Sequence, residues 1–309
     1  MTSQYDVLIP GSYYCDIIFT GLPQFPALGT EVFTRGLTVT VGGVMNSVVA
    51  LRRLGVQVGW TGQVGTDFFS AFILQQAERE GVDTSLLERL DEPFQRVTVA
   101  MSYPHDRAFL TYVDPAPSSI ALVRRVLDRV AFRHLHFTGL QTDPAAPALL
   151  AQVKARGVTI SMDCQHRVSE ISDPTVQAVL AQLDVFMPNR AEAKQLTGED
   201  DVHAAAERFL ALVPTVIIKD GGNGAHGWHN GHYHYQPAIN VAAVDTTGAG
   251  DVFNAGFLAA WLRGQPFNAA LRWGAISGGL STRGHGGTAT APTLDELHAW
   301  LEQLSESGG

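Results

Sequence analysis

The chain has 309 residues, 45% of them hydrophobic and 17% charged, with a net charge of −9; that suffices for a large core in one α/β domain or two small ones, and it excludes a nucleic-acid partner, which needs clustered Lys and Arg. Two cysteines, Cys15 and Cys164, exclude a disulfide framework and a Cys-based zinc site. No apolar run approaches the roughly 18 residues of a membrane span and residues 1–10 lack a secretory pattern, so a soluble, cytoplasmic protein with no membrane partner is expected.

In chain order, short apolar runs at 7–10, 56–60, 134–138, 158–163, 185–188 and 216–219 read as strands. Helical spacing falls near 44–54, 68–80, 118–129, 145–155, 175–182, 190–197, 202–211, 251–263, 267–282 and 294–304. Thr293 and Glu296 open the last of these as a capping box. Alternation of this kind predicts a doubly wound, mostly parallel sheet flanked by helices, in a single domain over 1–309. Two stretches break the rhythm, about 16–41 and 95–113, where apolar and polar residues alternate with period 2. They predict antiparallel strands, turning at His105-Asp106-Arg107, in a small sheet that forms a discontinuous lid. Four histidines between His226 and His234 suggest a metal, but Asn230-Gly231 between alternating strands reads as a β-hairpin that divides them between two faces. Cys164, after Asp163 at a strand end, faces either the site or the core.

The most informative stretch is Val244-Asp-Thr-Thr-Gly-Ala-Gly-Asp251, running into the apolar-periodic segment that includes Val252, Phe253 and Phe257. A glycine turn opening a helix leaves backbone N–H groups pointing outward, and with the helix dipole these make a phosphate site. Asp251 beside it could take a proton from a hydroxyl while Gly248, Ala249 and Gly250 hold the phosphoryl group. Upstream, Gly42-Gly43 precedes a helix carrying Asn46, Asn189 and Glu192 lie three apart at a strand end, and Lys219-Asp-Gly221-Gly-Asn-Gly224 follows a buried strand.

This order of motifs, from Gly11 to Ala291, resembles the ribokinase-like (PfkB) family of sugar and nucleoside kinases. The resemblance implies ATP and Mg2+ as cofactors, with Asp251 as base and the 248–250 amides as anion site. It implies that Asp16, Gly42, Gly43 and Asn46 contact substrate hydroxyls, and that Glu192 serves magnesium through water, as a hard cation needing few carboxylates allows. Asn189, Lys219, Gly221, Gly224 and Ala275 would serve ATP, Ala275 lying in a Trp273–Ser277 segment that resembles the one beside the adenine. The carbonyls of Asp245 and Thr247, with the 281–287 turn, resemble a monovalent-cation (K+) site found in parts of the family. Val48 and Met45 are bulkier than the family's usual alanines, and no Lys lies in the 42–46 turn. A sugar phosphate would be poorly held there, so an unphosphorylated sugar is the expected acceptor. A nucleoside kinase with an apolar lid of Phe33, Val97, Val99 and Met101 is the alternative; a sugar-binding regulator without catalysis is a third. Surplus apolar lid surface suggests a homodimer formed through the lid.

Overall fold

The structure, a computed structural model, describes residues 4–103, 107–165 and 169–306. β1 (Tyr5–Pro10) is buried on both faces, as a central parallel strand must be. The chain then leaves the main sheet for β2 (Tyr13–Thr20) and β3 (Gly36–Gly43), and returns through α1 (Val44–Arg53) to β4 (Val58–Val64), followed by α2 (Phe68–Arg79) and β5 (Leu87–Arg89). A second departure builds β6 (Arg96–Ser102) and β7 (Arg107–Val113), and α3 (Ser119–Val126) leads back to β8 (Phe132–Phe137). Next come α4 (Ala146–Lys154), β9 (Thr159–Met162), α5 (Pro174–Leu180), β10 (Val185–Phe186), α6 (Arg190–Thr197), α7 (Val202–Leu210) and β11 (Thr215–Lys219). The hairpin β12 (Ala225–His229) and β13 (His232–Gln236) precedes α8 (Ala249–Trp261), α9 (Phe267–Ser281) and α10 (Leu294–Glu306).

The nine-stranded sheet runs β13-β12-β11-β10-β9-β8-β1-β4-β5, parallel except for β12 and β13 at one edge. Winding departs from β1 in both directions, β4 on one side and β8 on the other. Ligands in such sheets bind beyond the carboxyl ends of the strands; Asp163, Asn189 and Lys219 lie at those ends, after or at the close of β9, β10 and β11, on the β8 side of the switch. Alternation splits the core in two: Val7, Ile9, Trp60 and Ile217 pack on the side of α1, α8 and α9, and Leu8, Leu135, Ile160 and Phe186 on the other. Cys164 belongs to the second cluster and is buried. No helix among the described residues is long and apolar enough to cross a membrane.

The lid is a four-stranded sheet, β3-β2-β6-β7. Its expected antiparallel pairing holds for β2–β3 and β6–β7, but β2 and β6 run parallel. The reason is topological: both strands open a departure from the main sheet, so both run outward. Residues 31–35 form no strand, because β2 ends at Thr20, opposite Gly36, and beyond that pair only the Arg35 amide reaches back, donating to the Thr20 carbonyl at 3.1 Å. The turn expected at His105-Asp106 lies outside the described residues. The strand expected at 56–60 begins at Val58, since the Val56 amide still closes α1 on the Leu51 carbonyl. Asn230 and Gly231 have φ of 51° and 76°, the left-handed pair of a two-residue hairpin turn. His226 packs with Trp228 and Tyr233 on one face, while His229 and His234 pack on Phe267 on the other.

Candidate active site

α8 begins at Ala249, two residues before the expected start, because Gly248 takes φ 70° and serves as its N-cap. A Cβ at Gly248 would sit 2.7 Å from the Gly287 Cα and 2.9 Å from Asn46 Nδ2, so only glycine fits this turn. The Ala249 amide donates to the Thr246 carbonyl at 3.2 Å. Of the three amides expected to face an anion, Ala249's is therefore spent inside the turn. Among the described residues, those of Gly248, Gly250 and Asp251 have no backbone acceptor, as the first turn of a helix leaves them. All four residues line a cavity of about 490 Å³.

Asp251 stands at the cavity wall, its Oδ2 accepting from Asn46 Nδ2 at 3.1 Å. Burial, with the nearby Asp163 charge, pushes its carboxyl up to about 7, the range of a general base. Asn46 is 5% exposed and its Oδ1 has no partner. A buried acceptor left open beside a base suits a hydroxyl donor. Behind Asp251, Lys219 Nζ donates to Asp163 Oδ2 at 2.8 Å and to Asn254 Oδ1 at 3.2 Å, and Asn254 Nδ2 donates to Asp163 Oδ2 at 2.6 Å. Lys219 is thus tied into a buried cluster, yet a Cβ at Gly250 would lie only 3.4 Å from its Nζ. Sequence reasoning assigned no role to Asp163 or Asn254. Asn254 was detectable, being three residues after Asp251 and so on the same face of α8.

Asp16 projects from β2 over Gly42, whose added Cβ would fall 2.2 Å from Oδ2. Burial, and then the charge of Asp245, raise its carboxyl to about 6. Gly43, with φ 63°, caps α1, and a Cβ there would meet the Ser12 carbonyl oxygen at 2.7 Å. Cross-strand partners share a face, so Asp16, Thr40, Thr98 and Thr111 form one row. Thr40 lies against Gly286, which places that face towards the site. Val97, Val99 and Met101 lie on the other face, and Phe33 is 79% exposed in the loop before β3. The apolar lid expected from these four residues is therefore not formed over the site.

Asn189 and Glu192 make a reciprocal capping box: Glu192 N donates to Asn189 Oδ1 at 2.9 Å, and Asn189 N to Glu192 Oε2 at 2.8 Å. Both also line the cavity, as do Asp163, Lys219, Gly221, Gly224 and Ala275. Small residues Ala275, Gly278 and Gly279 line it together with Ile239 and Val241, and a Cβ on Gly279 would fall 2.4 Å from Ile239 Cγ1. Asp245 is buried at the entry to the glycine turn. Burial works against its charge, but the Gly286 and Thr247 amides and Arg107 together hold its carboxyl below the usual range. Arg107, from β7, donates to Asp245 Oδ1, to Thr247 Oγ1 and, at 3.0 Å, to Thr246 Oγ1. Sequence reasoning missed it, since an arginine after a turn carries no motif.

A parallel sheet with helices on both sides, a glycine turn at a helix start and a poised carboxylate define a phosphoryl-transfer fold and site. Residues 29–294 match the pfkB family carbohydrate kinase description, and the chain belongs to that family. It is 30% identical to 2-dehydro-3-deoxygluconokinase of Bacillus subtilis (strain 168), over 88% of each chain. It is 26% identical to the ribokinase of Haemophilus influenzae, covering 94% of this chain and 97% of that one. The fold matches that of Arabidopsis thaliana ribokinase complexed with ribose and ATP, with a TM-score of 0.79, 20% identity, and coverage of 96% and 99%.

Proposed function

We propose that this kinase moves the γ-phosphoryl of ATP to a hydroxyl, primary by preference, of a small unphosphorylated sugar in the cytoplasm. The observation that carries the reading is Asp251: a carboxyl raised to about 7, held by Asn46, at the head of a helix with open amides. Asp251 takes the acceptor's proton as the hydroxyl attacks. The amides of Gly248, Gly250 and Asp251 donate to the transferred group and offset its developing charge. Asp16 and the Asn46 Oδ1 accept from acceptor hydroxyls. The nucleotide base lies along Ala275, Gly278 and Gly279, with its phosphates towards the glycine turn.

The donor set suits magnesium. Glu192 is 7% exposed and places a hard oxygen ligand on the same cavity as Asp251, and one carboxylate with waters satisfies this ion. When bound, it would offset phosphate charge. The acceptor's class follows from charge. Asp16, Asp163, Glu192, Asp245 and Asp251 face two cations, Arg107 and Lys219, which are paired with Asp245 and Asp163. A neutral polyol suits this balance better than a sugar phosphate. A nucleoside acceptor remains the second reading on the same scaffold, without the support of an apolar lid. A silent sugar-binding regulator would have no use for the base and its open amides.

The lid's outer face carries Leu37, Val39, Leu110 and Tyr112, all exposed. This apolar surface supports a homodimer through the lid. ADP release measured over ribose, fructose, other ketoses and aldoses, keto-deoxy sugar acids and nucleosides tests the function. Asp251→Asn is expected to bind ATP normally and lose roughly two to four orders of magnitude in turnover. Near-normal turnover in that variant would remove the mechanism.

A further inference from the structure

We infer that Arg107 stands in for the monovalent cation that the sequence led us to expect at Asp245 and Thr247: it is a positioning residue that fixes Asp245 and the turn behind the catalytic amides, and it acts only while the lid is closed. The inference rests on the reading of the glycine turn as the phosphoryl site. Asp245 Oδ1 accepts from the Thr247 amide at 2.9 Å, from Thr247 Oγ1 at 2.7 Å and from Arg107; its Oδ2 accepts from the Gly286 amide at 2.9 Å. The same guanidinium reaches the hydroxyls of Thr246 and Thr247. Every residue from Asp245 to Thr247, the three that lead into Gly248, is held by one side chain from the lid.

A potassium ion on the carbonyls of Asp245 and Thr247 would share these residues with a positive charge already bound to their side chains. Two cations on one three-residue segment repel one another. The residues present therefore do not fit that ion with Arg107 in place. The rigid fork of a guanidinium also satisfies several acceptors at once, which a bare ion on the carbonyls would leave to water. Arg107 and Asp16 lie on the same lid face, and Thr40 of that face rests on the Gly286 turn that also donates to Asp245. Closure over the acceptor and completion of the glycine turn are thus one event.

The test compares wild type, Arg107→Met and Arg107→Lys in potassium, sodium and tetramethylammonium chlorides. Wild-type turnover is expected to agree within about twofold across the three salts, and its melting temperature to show no rise specific to potassium. Arg107→Met is expected to lose about tenfold or more in kcat with ATP affinity unchanged, less than the roughly hundredfold or more lost when a transition-state donor is itself removed, and to recover in part when guanidinium or potassium is added. Arg107→Lys should fall between the two. A wild type strongly activated by potassium, or raised in melting temperature by potassium over sodium, would overturn the inference, as would full turnover of Arg107→Met in tetramethylammonium. Should Arg107→Met fail to fold, the wild-type salt series and Arg107→Lys still decide. The melting series needs no turnover, so it answers even if the acceptor panel shows no kinase activity.

Discussion

Asp251 is held in a state that folding disfavours and chemistry needs. Burial holds its folded carboxyl at about 7, well above a free aspartate. The protonated form is therefore the one the fold prefers, so its contribution to stability is full at low pH and is lost as pH rises through 7. Two expectations of opposite sign follow. Turnover per saturated enzyme should fall on the acid side of a limb near 7, where the base is protonated, whereas Asp251→Asn should be more stable than wild type by roughly a few kcal/mol at pH 8. Melting curves at pH 8 and pH 5 check the second; an equal difference at both would show that the carboxylate is not the strained group. The histidines of β8 work the other way. His134 bonds Thr159 Oγ1 at 2.7 Å and Ser161 Oγ at 2.6 Å, His136 bonds the same Ser161 at 2.8 Å, and burial pulls both rings down to about 3. These rings stay neutral in the fold but take protons when unfolded, so stability is expected to fall as pH drops from about 6.5 towards 3. Urea midpoints at pH 7 and pH 5 measure it, and His134→Gln should flatten the slope.

At the scale of elements, β2 and β3 are coupled where Asp16 covers Gly42. Gly42→Ala would push the carboxylate aside without touching the nucleotide cavity, and it should copy Asp16→Ala by raising the acceptor KM several-fold while the ATP KM stays put. Glu192→Gln should instead raise the magnesium requirement. It should leave the α6 cap closed, because a glutamine Oε1 can accept from the Asn189 amide as the Glu192 carboxylate does. Helix positions were legible in the sequence because caps write them locally. The Thr293–Glu296 box sits as expected, with the Thr293 amide 2.8 Å from Glu296 Oε2. The glycine turn, its Asp251 and the strand-end residues Asn189 and Lys219 were legible for the same reason. Facing within the lid was not. Period 2 says that Val97 and Thr98 point to opposite sides, but the register with β2 decides which side is the site. Arg107 stayed hidden for that reason, and Asp163 because its partners Lys219 and Asn254 are distant in the chain.

Across the whole molecule, the register turns a question of composition into one of assembly. Leu37, Val39, Leu110 and Tyr112 lie together on the lid face turned away from Asp16, and they are 61%, 42%, 68% and 55% exposed. Sedimentation at micromolar concentration is expected to show a dimer, and Leu110→Glu a monomer of lower acceptor affinity, since an unsupported lid closes less well. A fully active monomeric wild type would leave the interface without support.

The two departures that build the lid have a consequence for descent as well as for motion. One leaves the main sheet after β1 and returns through α1; the other leaves after β5 and returns through α3. Neither interrupts a pairing of the nine-stranded sheet. Lid strands can lengthen or shorten while the sheet keeps its pairings, but Arg107 on the inward row is tied to the glycine turn and must keep its place. The rest of that row is free to vary, so a lineage can revise the acceptor face of the lid only around two fixed points, Arg107 on the turn and Asn46 on Asp251.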